Sequence, residues 1–187
     1  MEKYFNFVTS NKRKYQEVSN LLPNTNQILK DLVEIQTNYI EEVVKYKLDQ
    51  IKKIVVFPDD NTYYIVEDTS LYIDCLNGFP GPFIKYFNNS LTTNGIVNLV
   101  KKYEVNTAQA VTMIGLLDSN LNYHYFKGEV KGYISERKNN TLFGFEDIFY
   151  PEGNNISFSQ MSTEDKNKVS MRGLAVNKLK QQKLEQS

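Results

Sequence analysis

The sequence is poor in residues that form cross-links or bind soft metals, with one cysteine and one histidine among 187 residues. A single cysteine, Cys75, excludes an internal disulfide and any zinc site that needs several cysteines. We expect Cys75 to be a buried filler and His124, which lies in an alternating segment, to be a polar strand residue. A bound metal must then be held by oxygen atoms, which favours Mg²⁺ or Mn²⁺ over zinc.

The sequence also lacks an excess of charge and any long apolar run. Lysine plus arginine (22) equals aspartate plus glutamate (22), so no general basic field favours nucleic acid or a membrane surface. No segment approaches the roughly 18 apolar residues of a membrane span, and the N-terminus lacks the layout of a signal peptide. We therefore expect a single cytoplasmic domain over residues 1–187, without a nucleic-acid or membrane partner.

The spacing of apolar residues predicts an α/β fold that begins with the order β-α-β-α. A third strand, Thr62–Val66, is rich in β-forming residues and is expected to end on Glu67 and Asp68. A β-hairpin is expected to turn at Asp118–Asn120, so the predicted sheet is mixed. The other predicted strands are Lys3–Thr9, Gln27–Leu32, Gln109–Leu117 and Leu121–Ser135, and the predicted helices are Lys12–Leu22, Asn38–Ile54, Thr93–Lys102 and two short stretches after Ser162, parted near Ser170.

The turn between the first strand and the first helix contains three cationic residues. It reads Thr9-Ser10-Asn11-Lys12-Arg13-Lys14. Backbone N–H groups at the start of the helix and the three cations face the same place, which outlines an anion site. The alternative is an ordinary capped helix with solvated lysines, because this turn is not a glycine-rich phosphate loop.

Four acidic residues follow the second and third predicted strands: Asp31, Glu34, Glu67 and Asp68. The C-terminal ends of parallel strands share one edge of an open α/β sheet, so we expect these carboxylates to converge beside the cationic turn. A divalent cation shared with phosphate oxygens would relieve the repulsion between carboxylate and phosphate. The alternative is that the acids simply lie on the surface at the strand ends.

An aromatic segment, Leu142–Asp147, places Phe143 and Phe145 on either side of Gly144. A glycine lets a flat ligand approach, and aromatic faces with a nearby carboxylate suit a nucleobase. The alternative is that both rings pack in the core.

Together these segments resemble the inosine triphosphatase family, the nucleoside triphosphate pyrophosphatases that remove ITP, dITP and XTP, over nearly the whole chain. The most specific segment is Val66–Phe87, V-E-D-T-S-L-Y-I-D-C-L-N-G-F-P-G-P-F-I-K-Y-F, which resembles V-E-D-T followed by L-G-G-x-P-G-P-Y-I-K-W-F. Thr9–Lys14 resembles T-G-N-x-x-K, and Asp31–Glu34 resembles D-L-P-E. Gly128–Ile134 is similar to G-x-x-x-G-x-I, and Phe143–Asp147 and Asp165–Arg172 are similar, with changes, to F-G-W/Y-D-P and E-K-N-x-x-S-H-R.

The resemblance implies a role for each matching position. Thr9, Asn11 and Lys14 would bind the triphosphate, and Glu34 and Asp68 would organise Mg²⁺. Lys47 would be the phosphate-binding lysine of the long helix, with Lys45 as the alternative because the preceding loop is one residue longer. At the base, Phe143 and Phe145 would flank the ring, and Glu146, Lys166, Ser170 and Arg172 would contact its edge.

The resemblance also implies an elongated mixed β-sheet flanked by helices, two lobes with a central cleft, and a homodimer. The implied reaction is hydrolysis between the α and β phosphates, giving a nucleoside monophosphate and pyrophosphate. In that reaction a metal would activate the water that attacks phosphorus, Asp68 would orient or deprotonate this water, and lysines would offset the charge of the leaving group. The alternatives are a nucleotide-binding sensor with little catalysis and a pyrophosphatase of modified pyrimidine triphosphates, as among Maf-like proteins.

Three substitutions fall in the predicted base pocket. Met171 replaces the family's histidine, Glu146 its aspartate, and Asp147 the proline that follows. Because methionine cannot donate a hydrogen bond to a purine, about 1 kcal/mol of discrimination is lost, and we predict an altered or broadened base preference. Ser10 replaces a turn glycine, which costs little if its φ is not positive.

Overall fold

The computed structural model of the protein describes residues 2–136, 138 and 144–184. Within these residues the strands are β1 (Tyr4–Val8), β2 (Thr25–Ile28), β3 (Thr62–Ile73), β4 (Pro80–Gly81), β5 (Thr107–Leu117), β6 (Tyr123–Ile134) and β7 (Phe149–Pro151). The α-helices are α1 (Lys12–Leu21), α2 (Ile40–Lys52), α3 (Ile84–Val100), α4 (Thr163–Val169) and α5 (Met171–Lys183). The seven described strands form one mixed sheet in the order β2-β1-β3-β5-β6-β7, with β4 beside β3. The predicted mixed α/β fold is confirmed.

The direction of the strands follows from how the chain connects them. Strand β1 pairs in parallel with β2 and with β3, because a helix crosses over between each successive pair of these strands. Strands β5 and β6 are antiparallel because they form the predicted hairpin, whose turn is held by the Asp118 side chain accepting a hydrogen bond from the N–H of Asn122 at 2.9 Å.

The prediction that the third strand ends on Glu67 and Asp68 is wrong. Strand β3 continues to Ile73, because β5 pairs with it as far as Ile73 and β4 pairs with its last part. Strand β1, by contrast, pairs with β3 only as far as Ile65. The two carboxylates therefore lie where β3 runs past the end of β1, beside the turn that follows β1.

Strand β2 and helix α3 show the other large differences, while the remaining boundaries lie within two residues of the prediction. Strand β2 ends at Ile28 instead of Leu32, so Asp31 and Glu34 lie in the loop that precedes α2. Helix α3 begins at Ile84, and the helix predicted from Thr93 is its second part, whereas the part before Thr92 was not predicted to be helical. The helix is interrupted at Thr92, where φ is 62° and ψ is 166°.

Helices cover both faces of the sheet near β1. On one face, Val44 and Leu48 of α2 belong to a core cluster with Val66 of β3. On the other face, Val18 of α1 and Val176 of α5 belong to a cluster with Ile65 of β3 and Phe126 of β6. This alternation along β3 is the period of two that a half-buried strand requires.

A third core cluster surrounds the opposite end of the long strands, where α3 and β7 pack around Ile73, Ile96 and Phe149. A cleft lies between this region and the region around β1, since its lining includes Val8 from one and Phe145 from the other. The expected arrangement of two lobes and a central cleft is present. No helix within the described ranges is long and apolar enough to cross a membrane.

Candidate active site

The turn between β1 and α1 brings a helix N-terminus into the cleft. Asn11 is the N-cap of α1, and its side-chain oxygen accepts hydrogen bonds from the N–H groups of Arg13 (3.0 Å) and Lys14 (3.1 Å). The Thr9 hydroxyl accepts one from the N–H of Asn11 at 3.1 Å. Ser10 is not among the residues with positive φ, so it replaces the family's glycine without strain. Thr9, Ser10, Asn11, Arg13 and Lys14 line the cleft, whereas Lys12 does not.

The centre of the cleft contains one lysine between two carboxylates. Lys47 of α2 is 5% exposed, and its Nζ lies 2.8 Å from Glu34 Oε1 and 2.8 Å from Asp68 Oδ1. It also donates to the backbone carbonyl of Glu67 at 3.3 Å. The alternative lysine, Lys45, pairs with Asp49 on an exposed part of the same helix. Of these two lysines of α2, Lys47 is therefore the one that lines the cleft.

The combined effect of burial and Lys47 on the pKa differs between Asp68 and Glu34. Burial raises the pKa of Asp68, because Lys47 and Lys14 only partly offset the loss of hydration. Burial acts in the same direction on Glu34, but the Lys47 ammonium outweighs it and holds the pKa of Glu34 below its ordinary value. Lys47 itself has a raised pKa, since Asp68 and Glu34 outweigh the effect of burial. Asp68 is therefore the better proton acceptor of the pair.

Glu67 and Asp68 are adjacent but point to opposite faces of β3, because successive side chains of a strand alternate. Asp68 shares its face with Val66 and with α2, which carries Lys47. Glu67 shares its face with Ile65 and faces α1 and α5. The two neighbouring acids therefore pair directly with different cations, Asp68 with Lys47 and Glu67 with Lys14 and Arg172, although the charge of Lys14 also acts on Asp68.

Arg172, in the first turn of α5, is held on the Glu67 face by groups from two other elements. Its Nε donates to Glu67 Oε2 at 3.2 Å, its Nη2 donates to the Thr69 hydroxyl at 3.3 Å, and its Nη1 pairs with Glu17 of α1. Lys14 Nζ lies 3.3 Å from Glu67 Oε1. Burial opposes ionisation of Glu67, but Arg172 and Lys14 outweigh it and lower its pKa to about 2.

Lys166 of α4 extends this group behind the cleft wall. Its Nζ donates to Glu17 Oε1 and to Glu146 Oε2, both at 2.7 Å. Burial opposes ionisation of Glu17, but Arg172 and Lys166 outweigh it and lower the pKa of Glu17, whereas burial raises the pKa of Glu146. Lys166 does not line the cleft, whereas both of these carboxylates do.

The aromatic end of the cleft is formed by the 3₁₀ turn Gly144–Asp147. Gly144 has a φ of 64°, and among the described residues no atom lies within 4 Å of the place where its Cβ would be. Phe145 lines the cleft but is only 7% exposed and packs edge-on against Phe149, with ring centroids 6.3 Å apart. Most of the Phe145 ring is therefore packed in the core, as the alternative interpretation of this segment expected. Phe143, expected on the other side of the base, lies outside the described residues.

The structure corrects the predicted placement of two residues at the base edge. Ser170 is 1% exposed and caps α5, accepting a hydrogen bond from the N–H of Gly173 at 3.1 Å. Met171 is also 1% exposed and belongs to the core cluster that contains Ile84 and Phe145. Neither residue lines the cleft. The reason is that α5 starts here, which turns Met171 inward and presents Arg172.

Several lining residues were not identified from the sequence. Glu17 lies three positions after Lys14, and this helical spacing was an available signal that both face the same side of α1. Lys85, at the start of α3, is close enough to Glu34 to contribute to its lowered pKa. The others that line the cleft include Lys30, Thr69, Tyr86, Asn88 and Asn89.

The two rare residues lie away from the cleft. His124 of β6 has its Nε2 2.8 Å from Asp118 Oδ2, beside the hairpin turn. Cys75 is half-buried in the 3₁₀ turn Asp74–Leu76 and packs against the core around Ile73. Neither residue lines the cleft.

The cleft has a volume of about 680 Å³, which is typical of a small-molecule site. Among the described residues its charged lining balances, with the cations Arg13, Lys14, Lys30, Lys47, Lys85 and Arg172 against the carboxylates Glu17, Asp31, Glu34, Glu67, Asp68 and Glu146. A polyphosphate ligand adds several negative charges that this lining does not offset. The balance therefore favours a ligand that arrives with a metal cation.

Glu34 and Asp68 have the donor chemistry that a hard cation such as Mg²⁺ requires. Mg²⁺ is usually held by one or two carboxylates together with phosphate oxygens and water. Within the described part of the chain, no group of three or more His, Cys, Asp and Glu residues could hold a metal ion. A divalent cation at this pair would thus need oxygens from a ligand, which a phosphate chain supplies.

The fold is that of solved Ham1 proteins. The Ham1 protein of Staphylococcus aureus has a TM-score of 0.78 at 23% identity, covering 97% of this chain and 100% of that chain. A Ham1 protein of Coxiella burnetii has a TM-score of 0.77 at 19% identity, covering 98% of this chain and 100% of that chain. At these identities the likeness defines the architecture of the molecule.

Sequence similarity identifies the family. Residues 5–182 match the sequence profile of the Ham1 family. A protein of Kluyveromyces lactis named inosine triphosphate pyrophosphatase is 37% identical over 184 residues, 94% of this chain and 93% of the relative. A protein of Hyperthermus butylicus named dITP/XTP pyrophosphatase is 32% identical over 176 residues, 91% of this chain and 90% of the relative. The chain belongs to the Ham1 family.

Proposed function

We propose that this protein hydrolyses noncanonical purine nucleoside triphosphates (ITP, dITP and XTP) to the monophosphate and pyrophosphate, and so removes them from the nucleotide pool. The observation that carries the proposal is Lys47 held between Glu34 and Asp68, inside a cleft that also receives the N-terminus of α1. This arrangement combines a cation for the phosphate chain with carboxylates for a metal and for water. The substrate class comes from the names of the relatives.

The proposed chemistry is attack of water on the α-phosphorus. Asp68 accepts a proton from the attacking water, while the hydrogen bond from Lys47 fixes the orientation of its carboxylate. The bond between the α-phosphorus and the oxygen that bridges to the β-phosphate breaks, and pyrophosphate leaves. Lys47 stabilises the negative charge that develops on the leaving group, while Lys14 binds the phosphate chain.

Mg²⁺ is the proposed cofactor, with Mn²⁺ as a substitute, and Glu34 and Asp68 are the residues that would hold it. When bound, the ion would neutralise phosphate charge and polarise the phosphoryl oxygens. The phosphate chain is proposed to lie along Thr9, Asn11 and Lys14, where backbone N–H groups at the helix start favour an anion.

The base is proposed to lie at the end of the cleft formed by Gly144, Phe145 and Glu146, with Arg172 on the adjoining wall. Lys166 and Ser170 then act from behind the wall, Lys166 by holding Glu146 and Ser170 by capping α5. The expectation that Met171 alters base preference stays a prediction. Since its side chain is in the core, any such effect must come through the position of Arg172.

The substitution Met171→Leu tests this interpretation. Leucine conserves the volume and polarity of a buried methionine, so we expect the free energy of unfolding to change by less than about 1.5 kcal/mol. The ratio of ITP to GTP turnover should be unchanged, because a core residue offers the base no polar group. Thermal melting and pyrophosphate release with both nucleotides measure this. A changed ratio at unchanged stability would show that Met171 influences base selection and is more than a core residue.

Pyrophosphate release across a panel of nucleotides tests the proposed function. We expect Mg²⁺-dependent release from ITP, dITP and XTP, weaker release from ATP, GTP, CTP, UTP and dUTP, and loss of release when EDTA removes the metal. Identification of inosine monophosphate confirms cleavage between the α and β phosphates. A preference for dUTP or modified pyrimidine triphosphates, or release of inorganic phosphate instead of pyrophosphate, would contradict the proposal.

We further propose that the protein acts as a homodimer in the cytoplasm. Both statements rest on the resemblance to the inosine triphosphatase family. Light scattering coupled to size-exclusion chromatography measures the first, and a mass of one chain at micromolar concentration would contradict it.

A further inference from the structure

Glu67 lies between the two ends of the cleft and contacts a cation from each. Its Oε1 lies 3.3 Å from Nζ of Lys14, in the first turn of α1, and accepts a hydrogen bond from the Thr69 hydroxyl at 2.5 Å. Its Oε2 accepts a hydrogen bond from Nε of Arg172, in the first turn of α5, at 3.2 Å. The residue is 5% exposed, so these contacts are shielded from water.

The two cations have different proposed tasks. Lys14 lies beside the turn assigned to the phosphate chain, and Arg172 lies on the wall assigned to the base. Glu17, the neighbouring carboxylate, contacts Arg172 and Lys166 instead. Glu67 therefore contacts both cations, so the position of Lys14 at the phosphate end is linked to the position of Arg172 at the base end.

Glu67 is separated from the proposed chemistry by the strand itself. Asp68 and Lys47 lie on the other face of β3, so the side chain of Glu67 does not share their hydrogen bonds. A change that keeps the size of the Glu67 side chain but removes its charge should therefore disturb binding more than the chemical step.

We propose that Glu67 is a positioning residue that couples phosphate binding to base recognition by holding Lys14 and Arg172 at a fixed separation. This inference rests on the proposed function of the cleft. It assigns a role in binding to the first acid of the Glu67-Asp68 pair and leaves the role in catalysis to the second.

The substitution Glu67→Gln removes the charge and keeps the shape. We expect KM for ITP to rise at least about tenfold, the loss of a hydrogen bond to a charged group, with kcat within about threefold of wild type. Affinity for inorganic tripolyphosphate, a phosphate chain without a base, should fall about tenfold by calorimetry because Lys14 loses its partner. Glu17→Gln should weaken the binding of ITP but leave the affinity for tripolyphosphate within about twofold of wild type, since Glu17 does not contact Lys14.

Glu129→Gln is the matched control, because it removes one carboxylate from an exposed pair with Lys127 outside the cleft. Unchanged or tighter binding of tripolyphosphate by Glu67→Gln overturns the proposal, because Glu67 would then be competing with phosphate for Lys14. An equal loss of kcat for every nucleotide at unchanged KM also overturns it, since that is the signature of a smaller folded fraction.

Glu67→Asp repeats the test if the glutamine variant does not fold, because it keeps the charge but is too short to reach both cations. As in Glu67→Gln, KM for ITP should rise and the binding of tripolyphosphate should become weaker. Wild-type values of both quantities would overturn the proposal. Failure of the proposed function is a separate result. If the wild type releases no pyrophosphate from any nucleotide, calorimetry with ITP and tripolyphosphate still measures the coupling by Glu67.

Discussion

Asp68→Asn should abolish turnover while the protein still binds nucleotide. Asparagine keeps the shape of the side chain and its place on the α2 face of β3, but it cannot accept a proton from water and carries no charge for a metal. Removal of a general base lowers the rate by about 10²–10⁴-fold, so we expect a fall in kcat of at least 10²-fold. Pyrophosphate release at saturating ITP and Mg²⁺ measures the rate, and calorimetry with ITP measures binding.

Asp49→Asn is the control for this substitution. Asp49 pairs with Lys45 and accepts a hydrogen bond from Tyr123 at 2.6 Å, but none of these residues lines the cleft, so its loss should leave kcat within about twofold. Retention of more than a tenth of the wild-type rate by Asp68→Asn would exclude Asp68 as the proton acceptor. If the wild type binds ITP tightly and neither protein turns it over, the sensor alternative is the better description.

The parts of the site that the sequence predicted well are local. The turn from β1 into α1 forms from the preferences of its own residues, because Asn11 caps the helix that follows it and Thr9 holds the N–H of Asn11. Glu34 and Asp68 do converge as expected, but not because both strands end there: β3 runs past the end of β1, and Glu34 lies in the loop after β2. The full length of β3 was not predicted, because its last residues are held by β5 and β4, which lie far along the chain.

The residues whose positions were predicted wrongly lie at the start of a helix, where the direction of each side chain depends on how the helix is oriented. The segment from Lys166 to Arg172 resembles a family motif, but the motif gives positions and not directions. A helix that starts at Met171, capped by Ser170, turns the methionine into the core and Arg172 toward the cleft. The choice between Lys45 and Lys47 was open for the same reason, since two positions along a helix point to different sides.

The position of Arg172 in turn depends on how closely α5 approaches the sheet. Gly128 of β6 lies directly under the first turn of α5, with the place of a Cβ only 1.9 Å from the carbonyl oxygen of Met171 and 2.7 Å from the nitrogen of Ala175. No side chain fits there, so a glycine on one element sets the place of an arginine on another. The stability of the core and the geometry of the cleft are thus coupled at this contact.

Gly128→Ala should destabilise the protein and weaken nucleotide binding together. The added methyl group meets backbone atoms, so α5 must move away from β6, at a cost of about 3 kcal/mol in the free energy of unfolding. For a chain of this length that lowers Tm by about 6–12 °C, and KM for ITP should rise because Arg172 moves with the helix.

Gly95→Ala in α3 is the control, since its methyl group would meet only side-chain atoms, with Leu91 Cβ nearest at 3.2 Å, and stability should stay within about 1 kcal/mol of wild type. Thermal melting and the KM for ITP of both variants decide the matter, and a Gly128→Ala protein as stable as the control would show that α5 is not held against β6 as described.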